Sequence, residues 1–268
     1  MPSLLRRIPY LRRPYFQRDE ALRQRDAALT ALRDATRAPQ MAQVNSVYAA
    51  DDMILRDKNL AALAEPRFRE AYAAAAPALR IDFRAYVCCW AAKRAARLPG
   101  DFVECGVNEG WMSLTICNYL DFNKLAKSFY LFDTYCGIPL EQITDRERAE
   151  SGERLLAMQH HYVECYERTK AKFAPYPRAV LVRGRIPETL TLPPIERVAY
   201  LHIDMNIAVP ERAAIEFFWP KLVPGGVVVL DDYAFSSYEA QHDTMDEFAA
   251  SIGTDVLTLP TGQGLIIK

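Results

Sequence analysis

From residue 101 to the C-terminus the chain alternates between two hydrophobic periods. Short apolar runs near 102–105, 128–133, 179–183, 198–204, 226–231, 254–259 and 263–267 have the length and the β-branched or aromatic content of strands. Between them, stretches near 110–121, 159–174, 210–222 and 238–251 repeat apolar residues at helical spacing. Pro210 suits a first helical turn, where its missing N–H costs nothing. Pro224-Gly225-Gly226 reads as the tight turn into the fifth strand. Alternating strands and helices predict a mostly parallel sheet covered on both faces. The last two runs are separated by little more than Pro260-Thr261-Gly262. A parallel pair needs a crossover of about a dozen residues, so these two must run antiparallel. The expected fold class is therefore α/β: seven strands, mostly parallel, ending in an antiparallel hairpin.

Ahead of this region, residues 45–98 read as helices. Asp51-Asp52 can cap one start, Glu65-Pro66 interrupts the pattern, and 68–79 resumes it. The stretch 83–98 carries Tyr86, Val87, Trp90, Ala91 and Ala95 on one stripe, and Pro99-Gly100 ends it. Three parts follow: a basic helical arm over 1–38, a helical cap or lid over 39–98, and the main domain over 99–268. The arm holds nine arginines against four acids, with neither Gly nor Pro between residues 18 and 37. It reads as a solvated or oligomerisation helix, and association of like subunits is expected. Leu4, Leu5, Ile8 and Tyr10 interleave with the arginines, which leaves open contact with an anionic membrane surface or an acidic partner.

Composition narrows the function. With 268 residues, half of them hydrophobic, the chain can bury a sizeable core. A formal net charge of −1 argues against a surface built for nucleic acid. No apolar run approaches the roughly 18 residues that span a bilayer, and no apolar h-region follows the N-terminal arginines. The six cysteines form no CxxC pair and no zinc spacing. A reduced, cytoplasmic protein is the expectation.

The chemistry lies in acids that end strand patterns: Glu104, Asp133, Asp204 and the pair Asp231-Asp232. In an open parallel sheet, ligands bind outside the carboxyl ends of the strands, so these five carboxylates converge on one crevice. Glu104-Cys105-Gly106-Val107-Asn108-Glu109-Gly110 joins a strand to a helix. Gly106 permits a sharp turn and Gly110 lets the helix begin close to a ligand; a purely structural turn needs glycines as well. The spacing lacks the third glycine of the dinucleotide fingerprint, and Glu104 with Glu109 would repel a pyrophosphate. A nicotinamide-dependent oxidoreductase fits poorly. A ligand with a positive centre, such as S-adenosylmethionine, fits. Asp133 can accept from ribose hydroxyls or cap the turn Thr134-Tyr135-Cys136-Gly137. Gly184-Arg185 follows the third strand, where Arg185 can stack on adenine or remain solvated. The candidate donor-binding residues are Glu104, Gly106, Asn108, Gly110, Ser113, Asp133, Gly184 and Arg185.

Asp204, Asp231 and Asp232 end the fourth and fifth strands, which lie side by side in this topology. Three uncompensated carboxylates repel and raise one another's pKa. A hard cation such as Mg²⁺ removes that repulsion; helix caps or salt bridges to Arg212 or Lys221 are the structural alternative. His202 reads as a satisfied core residue. His160-His161 and His242 are placed where either could reach the crevice, and His242 is a candidate catalytic residue.

Three runs carry a resemblance: Pro99-Gly100-Asp101-Phe102-Val103-Glu104-Cys105-Gly106-Val107, His202-Ile203-Asp204-Met205, and Leu222-Val223-Pro224-Gly225-Gly226-Val227-Val228-Val229-Leu230-Asp231-Asp232-Tyr233. Over roughly 99–268 the chain resembles the macrocin O-methyltransferase (TylF/MycF-like) family. The resemblance implies a Rossmann-like class I methyltransferase sheet and an S-adenosylmethionine- and Mg²⁺-dependent enzyme. It further implies a sugar hydroxyl on a small molecule or glycan as acceptor, with Asp204, Asp231 and Asp232 as metal ligands and Asp204 also a candidate proton acceptor, as is His242. The chain departs from the family pattern at Asn108 and Glu109, where an aromatic and a basic residue are usual. It departs again at Asn206, where a second acid is usual. Those departures leave a second reading open, a non-catalytic methyltransferase-fold scaffold in a glycan or natural-product assembly complex.

Overall fold

The computed structural model describes residues 65–76 and 81–268. The expected arm at 1–38 and the Asp51-Asp52 cap lie outside the described residues. Seven strands form one sheet in the order β3-β2-β1-β4-β5-β7-β6. They are β1 Asp101–Cys105, β2 Phe129–Asp133, β3 Ala179–Arg183, β4 Val198–Ile203, β5 Leu222–Leu230, β6 Leu257–Thr258 and β7 Gly264–Ile267. The first five are mutually parallel, and β7 runs antiparallel to both β5 and β6, as the short final turn requires. The helices are α1 Pro66–Ala75, α2 Asp82–Ala95, α3 Trp111–Leu120, α4 Asp145–His161, α5 Tyr166–Phe173, α6 Ala208–Phe218 and α7 Glu239–Ser251.

All six residues of β4 are buried, because a central parallel strand is covered on both faces and so reads as a continuous apolar run. One face packs Cys105, Phe132, Ile203 and Leu230 against Ala214, Ile215 and Phe218 of α6 and Phe248 of α7. On the other, Phe102, Phe122, Phe129 and Tyr200 form an aromatic cluster. On that second face α2 lies against β4 and β5. The Asp204 N–H donates to the Cys105 carbonyl at 2.8 Å and the Asp231 N–H to the Ile203 carbonyl at 2.9 Å, so the acid-bearing tips are held by main-chain bonds.

Three expectations change. Pro224-Gly225-Gly226 is not the turn before β5 but an irregularity within it: the register with β4 moves from Val198↔Leu222 to Tyr200↔Val227. The turn itself is the single 3₁₀ turn Trp219–Lys221. The expected helix near 159–174 is two helices. Cys165 breaks them apart by donating its N–H to the Tyr135 carbonyl at 2.8 Å. The long α4 before that break starts from a capping box between Thr144 and Glu147; its charge-rich sequence gives little apolar period to read. The expected strand at 254–259 shrinks to two exposed residues at the sheet edge.

Candidate active site

The tips of β1, β2, β4 and β5 open on one cavity of about 370 Å³, and Glu104, Asp133, Asp204, Asp231 and Asp232 all line it. Gly106, Asn108, Gly184 and Arg185 line it too. Gly110, Ser113 and His242 are not on its wall. Ser113 is buried and donates its hydroxyl to the Gly110 carbonyl at 3.4 Å. A Cβ on Gly110 would lie 2.4 Å from the Phe173 ring, so that glycine admits α5 rather than a ligand. His242 stacks on Tyr233 at 4.4 Å between ring centres. Its Nε2 lies 3.3 Å from Asp246 and its Nδ1 3.0 Å from the Tyr233 carbonyl, which separates it from the expected role in the crevice. His161 lines the cavity.

On the donor side, Asp133 gathers main-chain donors. Its Oδ2 accepts from the N–H groups of Val107 at 2.6 Å and Asn108 at 2.8 Å. Its Oδ1 accepts from the Tyr135 N–H at 2.5 Å. The carboxylate therefore caps the turn and also fixes the β1–α3 loop; Oδ2 has both acceptor sites filled, and Oδ1 is the oxygen with an exchangeable partner, the Thr134 hydroxyl at 3.3 Å. Gly106 is demanded by backbone packing: its φ is +91°, and a Cβ there would fall 1.8 Å from the Asp204 carbonyl oxygen. Glu109 turns away from the mouth and pairs with Arg168 at 2.9 Å and Lys172 at 2.7 Å. The Lys172 contact leads in holding its pKa below the usual carboxylate range. Arg185 pairs with Glu141, and lies 3.4 Å from Glu188; both partners are on the surface.

Glu104 is buried, with Oε1 2.9 Å from His202 Nδ1. Its Oε2 is buried with no hydrogen-bond partner among the described residues. An orphaned carboxylate oxygen on a ligand-cavity wall costs free energy until a donor arrives. The ammonium of S-adenosylmethionine is such a donor, so the residues present fit that cofactor. Deep burial alone would keep His202 neutral, but the Cys88 sulfur and the Glu104 carboxylate raise its pKa well above that of ordinary imidazole. His202 Nε2 lies 3.4 Å from Asp231, so the histidine sits between the donor-side acid and the aspartate cluster.

One ligand atom from each of Asp204, Asp231 and Asp232 lies within 4.8 Å of the other two. The set is hard oxygen and its chemistry fits a small divalent cation. Burial, then the nearby Asp232 charge, raises the Asp204 pKa to about 7. The cluster is nevertheless not uncompensated. Arg84 of α2 ion-pairs with Asp231 and places Nη2 3.0 Å from Asp232 Oδ1. Neither expected cation takes this place: Arg212 binds Glu216 at 2.6 Å and Lys221 the Ile195 carbonyl at 2.8 Å.

Sequence reading missed Arg84 because helical periodicity assigns a face, not a partner 147 residues away. It also missed Tyr238, which lines the cavity and donates its hydroxyl to Asn206 Oδ1 at 3.0 Å. Tyr238 carried one signal, its place at a helix start soon after the β5 tip; Arg84 carried none.

The profile of the macrocin O-methyltransferase (TylF) family matches residues 51–256. Among curated proteins, one relative is 8-demethyl-8-(2,3-dimethoxy-alpha-L-rhamnosyl)-tetracenomycin-C 4'-O-methyltransferase of Streptomyces olivaceus. It is 28% identical over 160 residues, covering 58% of this chain and 61% of that protein. Mycinamicin III 3''-O-methyltransferase of Micromonospora griseorubida is 25% identical, covering 58% and 63%. The matches thus span under two thirds of those relatives. Among solved structures, the O-methyltransferase NovP aligns with a TM-score of 0.57 at 22% identity, covering 69% of this chain and 79% of that one. A calicheamicin methyltransferase aligns at 0.51 and 19%, covering 90% of each. The two structures share the fold.

Proposed function

The chain belongs to the macrocin O-methyltransferase family, and from that membership we propose that it methylates a sugar hydroxyl on a glycosylated small molecule or glycan. The observation that carries the reading is the convergence of five strand-tip carboxylates, one with an orphaned oxygen, on a single cavity. The rhamnosyl group named for the tetracenomycin relative supports a sugar acceptor.

S-adenosylmethionine, when bound, supplies an electrophilic methyl on a sulfonium. Glu104 Oε2 would take its ammonium, and Asp133 would take its ribose in exchange for the Thr134 contact. A divalent cation held by Asp204, Asp231 and Asp232 supplies Lewis-acid polarisation of the acceptor oxygen when bound. Asp204 lines the cavity and would take the acceptor's proton at a carboxylate oxygen; its pKa near 7 belongs to the metal-free carboxylate, and a bound cation lowers it. The Gln263 amide donates to Asp231 Oδ1 at 2.6 Å and orients that carboxylate, with His202 Nε2 3.4 Å from the same oxygen. The chain's main contribution is alignment, and well-oriented pairs gain ~7–11 kcal/mol.

The test is a panel of rhamnosylated and other deoxysugar acceptors, with S-adenosylhomocysteine formation as the readout. Tight S-adenosylhomocysteine binding with no turnover on any sugar favours the scaffold reading, which one observation supports: Arg84 already neutralises part of the metal cluster. Two further outcomes follow from the geometry. Glu104→Gln should weaken S-adenosylhomocysteine binding by about 10–100-fold in calorimetry, since hydrogen bonds to charged groups contribute ~1.5–3 kcal/mol; unchanged affinity removes Glu104 from the donor site. Divalent binding should weaken as pH falls through about 7, where Asp204 takes a proton, approaching about tenfold per pH unit once Asp204 is largely protonated. A Mn²⁺ affinity flat from pH 8 to pH 5.5 in stable buffer would show that no ligand of the ion takes a proton near pH 7, against this role for Asp204.

A further inference from the structure

We infer that Arg84 is a tethered counter-ion of the aspartate cluster, and that a divalent cation binds by exchange with its guanidinium. This rests on reading Asp204, Asp231 and Asp232 as a metal site.

The two oxygens of Asp231 are unequally committed. Oδ1 accepts from Gln263 Nε2 at 2.6 Å and lies 3.4 Å from His202 Nε2. Oδ2 is left facing Arg84, whose Nη2 pairs with it. The same nitrogen lies 3.0 Å from Asp232 Oδ1. A single Arg84 nitrogen thus bridges two carboxylates, which is the place a dication shared by them must take. Mg²⁺ needs its oxygens at about 2.0–2.1 Å. A guanidinium and a dication cannot both occupy that gap, because their bodies overlap and their charges repel.

The arginine is also incompletely housed. Its Nε is buried with no hydrogen-bond partner among the described residues, a loss that a permanent structural ion pair would be expected to avoid. The guanidinium carbon lies 5.3 Å from the centre of the Phe235 ring. The side chain lines the cavity and keeps 19% of its surface open, so a rotamer change releases the head without moving α2. Charge sets the direction of exchange: four carboxylates, Glu104, Asp204, Asp231 and Asp232, against Arg84 and His202 remain under-neutralised, and replacing a single positive charge by a double one corrects more of the excess. Arg84 thus holds the place between Asp231 and Asp232, and exchange with a dication would move its head away from both.

The experiment is a Mn²⁺ titration of chelator-stripped wild type, Arg84→Met and Arg84→Lys by calorimetry. S-adenosylhomocysteine binding and melting curves report the fold. Arg84→Met should bind Mn²⁺ about 5–150-fold more tightly than wild type, the usual span of a site–site coupling. Arg84→Lys, with one ammonium in place of a fork, should fall between them and serves if Arg84→Met does not fold. Free guanidinium chloride at tens of millimolar should weaken Mn²⁺ binding to Arg84→Met and leave wild type nearly unchanged. If the substituted proteins bind Mn²⁺ no better than a metal-binding wild type, Arg84 positions the aspartates and exchange is wrong. If neither wild type nor variant binds Mn²⁺, the metal reading fails and the exchange falls with it.

Discussion

An Asp204→Asn protein is expected to lose methyl transfer by about 10²–10⁴-fold while melting higher than wild type above neutral pH in chelator. The two effects oppose each other for one physical reason. Asp204 sits at the tip of β4 beside Asp232, and burial with that neighbour raises its pKa to about 7. The folded protein therefore holds the proton up to about pH 7, while the unfolded chain releases it near pH 4. Since the native state binds more protons in that interval, stability falls as pH rises through it. Asn copies the neutral form and removes the penalty, yet it can neither accept the acceptor's proton nor carry a full ligand charge. Among the described residues no hydrogen bond to the Asp204 carboxylate is broken by the change. Melting temperatures from pH 4 to pH 8 should show the gap to wild type opening as pH rises. Wild-type turnover in Asp204→Asn would sink the assigned base. Asp231 is a poorer choice for this test, because replacing it strands Arg84, Gln263 and His202 together.

Gly106→Ala is expected to destabilise the fold by about 3–5 kcal/mol in urea denaturation. Two costs combine. The residue adopts φ +91°, a region L side chains rarely enter, and the added Cβ would lie 1.8 Å from the Asp204 oxygen and 2.4 Å from its carbonyl carbon. That neighbour cannot yield freely: Gly106 donates its N–H to the Phe132 carbonyl at 2.9 Å and Asp204 donates to Cys105 at 2.8 Å. Relief must come from parting β1 and β4, which moves Glu104 away from His202 and disperses the cavity. Gly110→Ala should cost less, since its obstacle is the Phe173 side chain rather than backbone. A Gly106→Ala loss under ~1 kcal/mol, or an equal loss for both glycines, would refute this account of the β1–α3 turn.

The comparison of residues with structure is uneven in an instructive way. The strand tips were legible because β4 and β5 are buried on both faces, and burial forces continuous apolar runs that end abruptly at Asp204 and Asp231. Adjacent strands then bring their terminal acids together through sheet register alone. The Pro224-Gly225-Gly226 irregularity was misread because its conformation depends on the residue that follows β7: Gly225 donates to the Lys268 carbonyl at 2.6 Å. The α4 start escaped the apolar period, although its capping box is written locally in Thr144 and Glu147. His242 looked placed for catalysis by its distance from Asp232 in sequence, but one turn of α7 points it at Tyr233 and Asp246.

By itself, the order of apolar runs, acids and glycines determined a parallel sheet with its carboxylates at one edge, since period and strand burial are local properties of the chain. Tertiary structure alone decided which cation meets those carboxylates and which polar oxygens are left without a donor. Helix α2 can present Arg84 to Asp231 only after it has packed across β4 and β5, and no sequence interval encodes that meeting. Charge compensation is a property of positions in space, while the pattern records only positions along the chain.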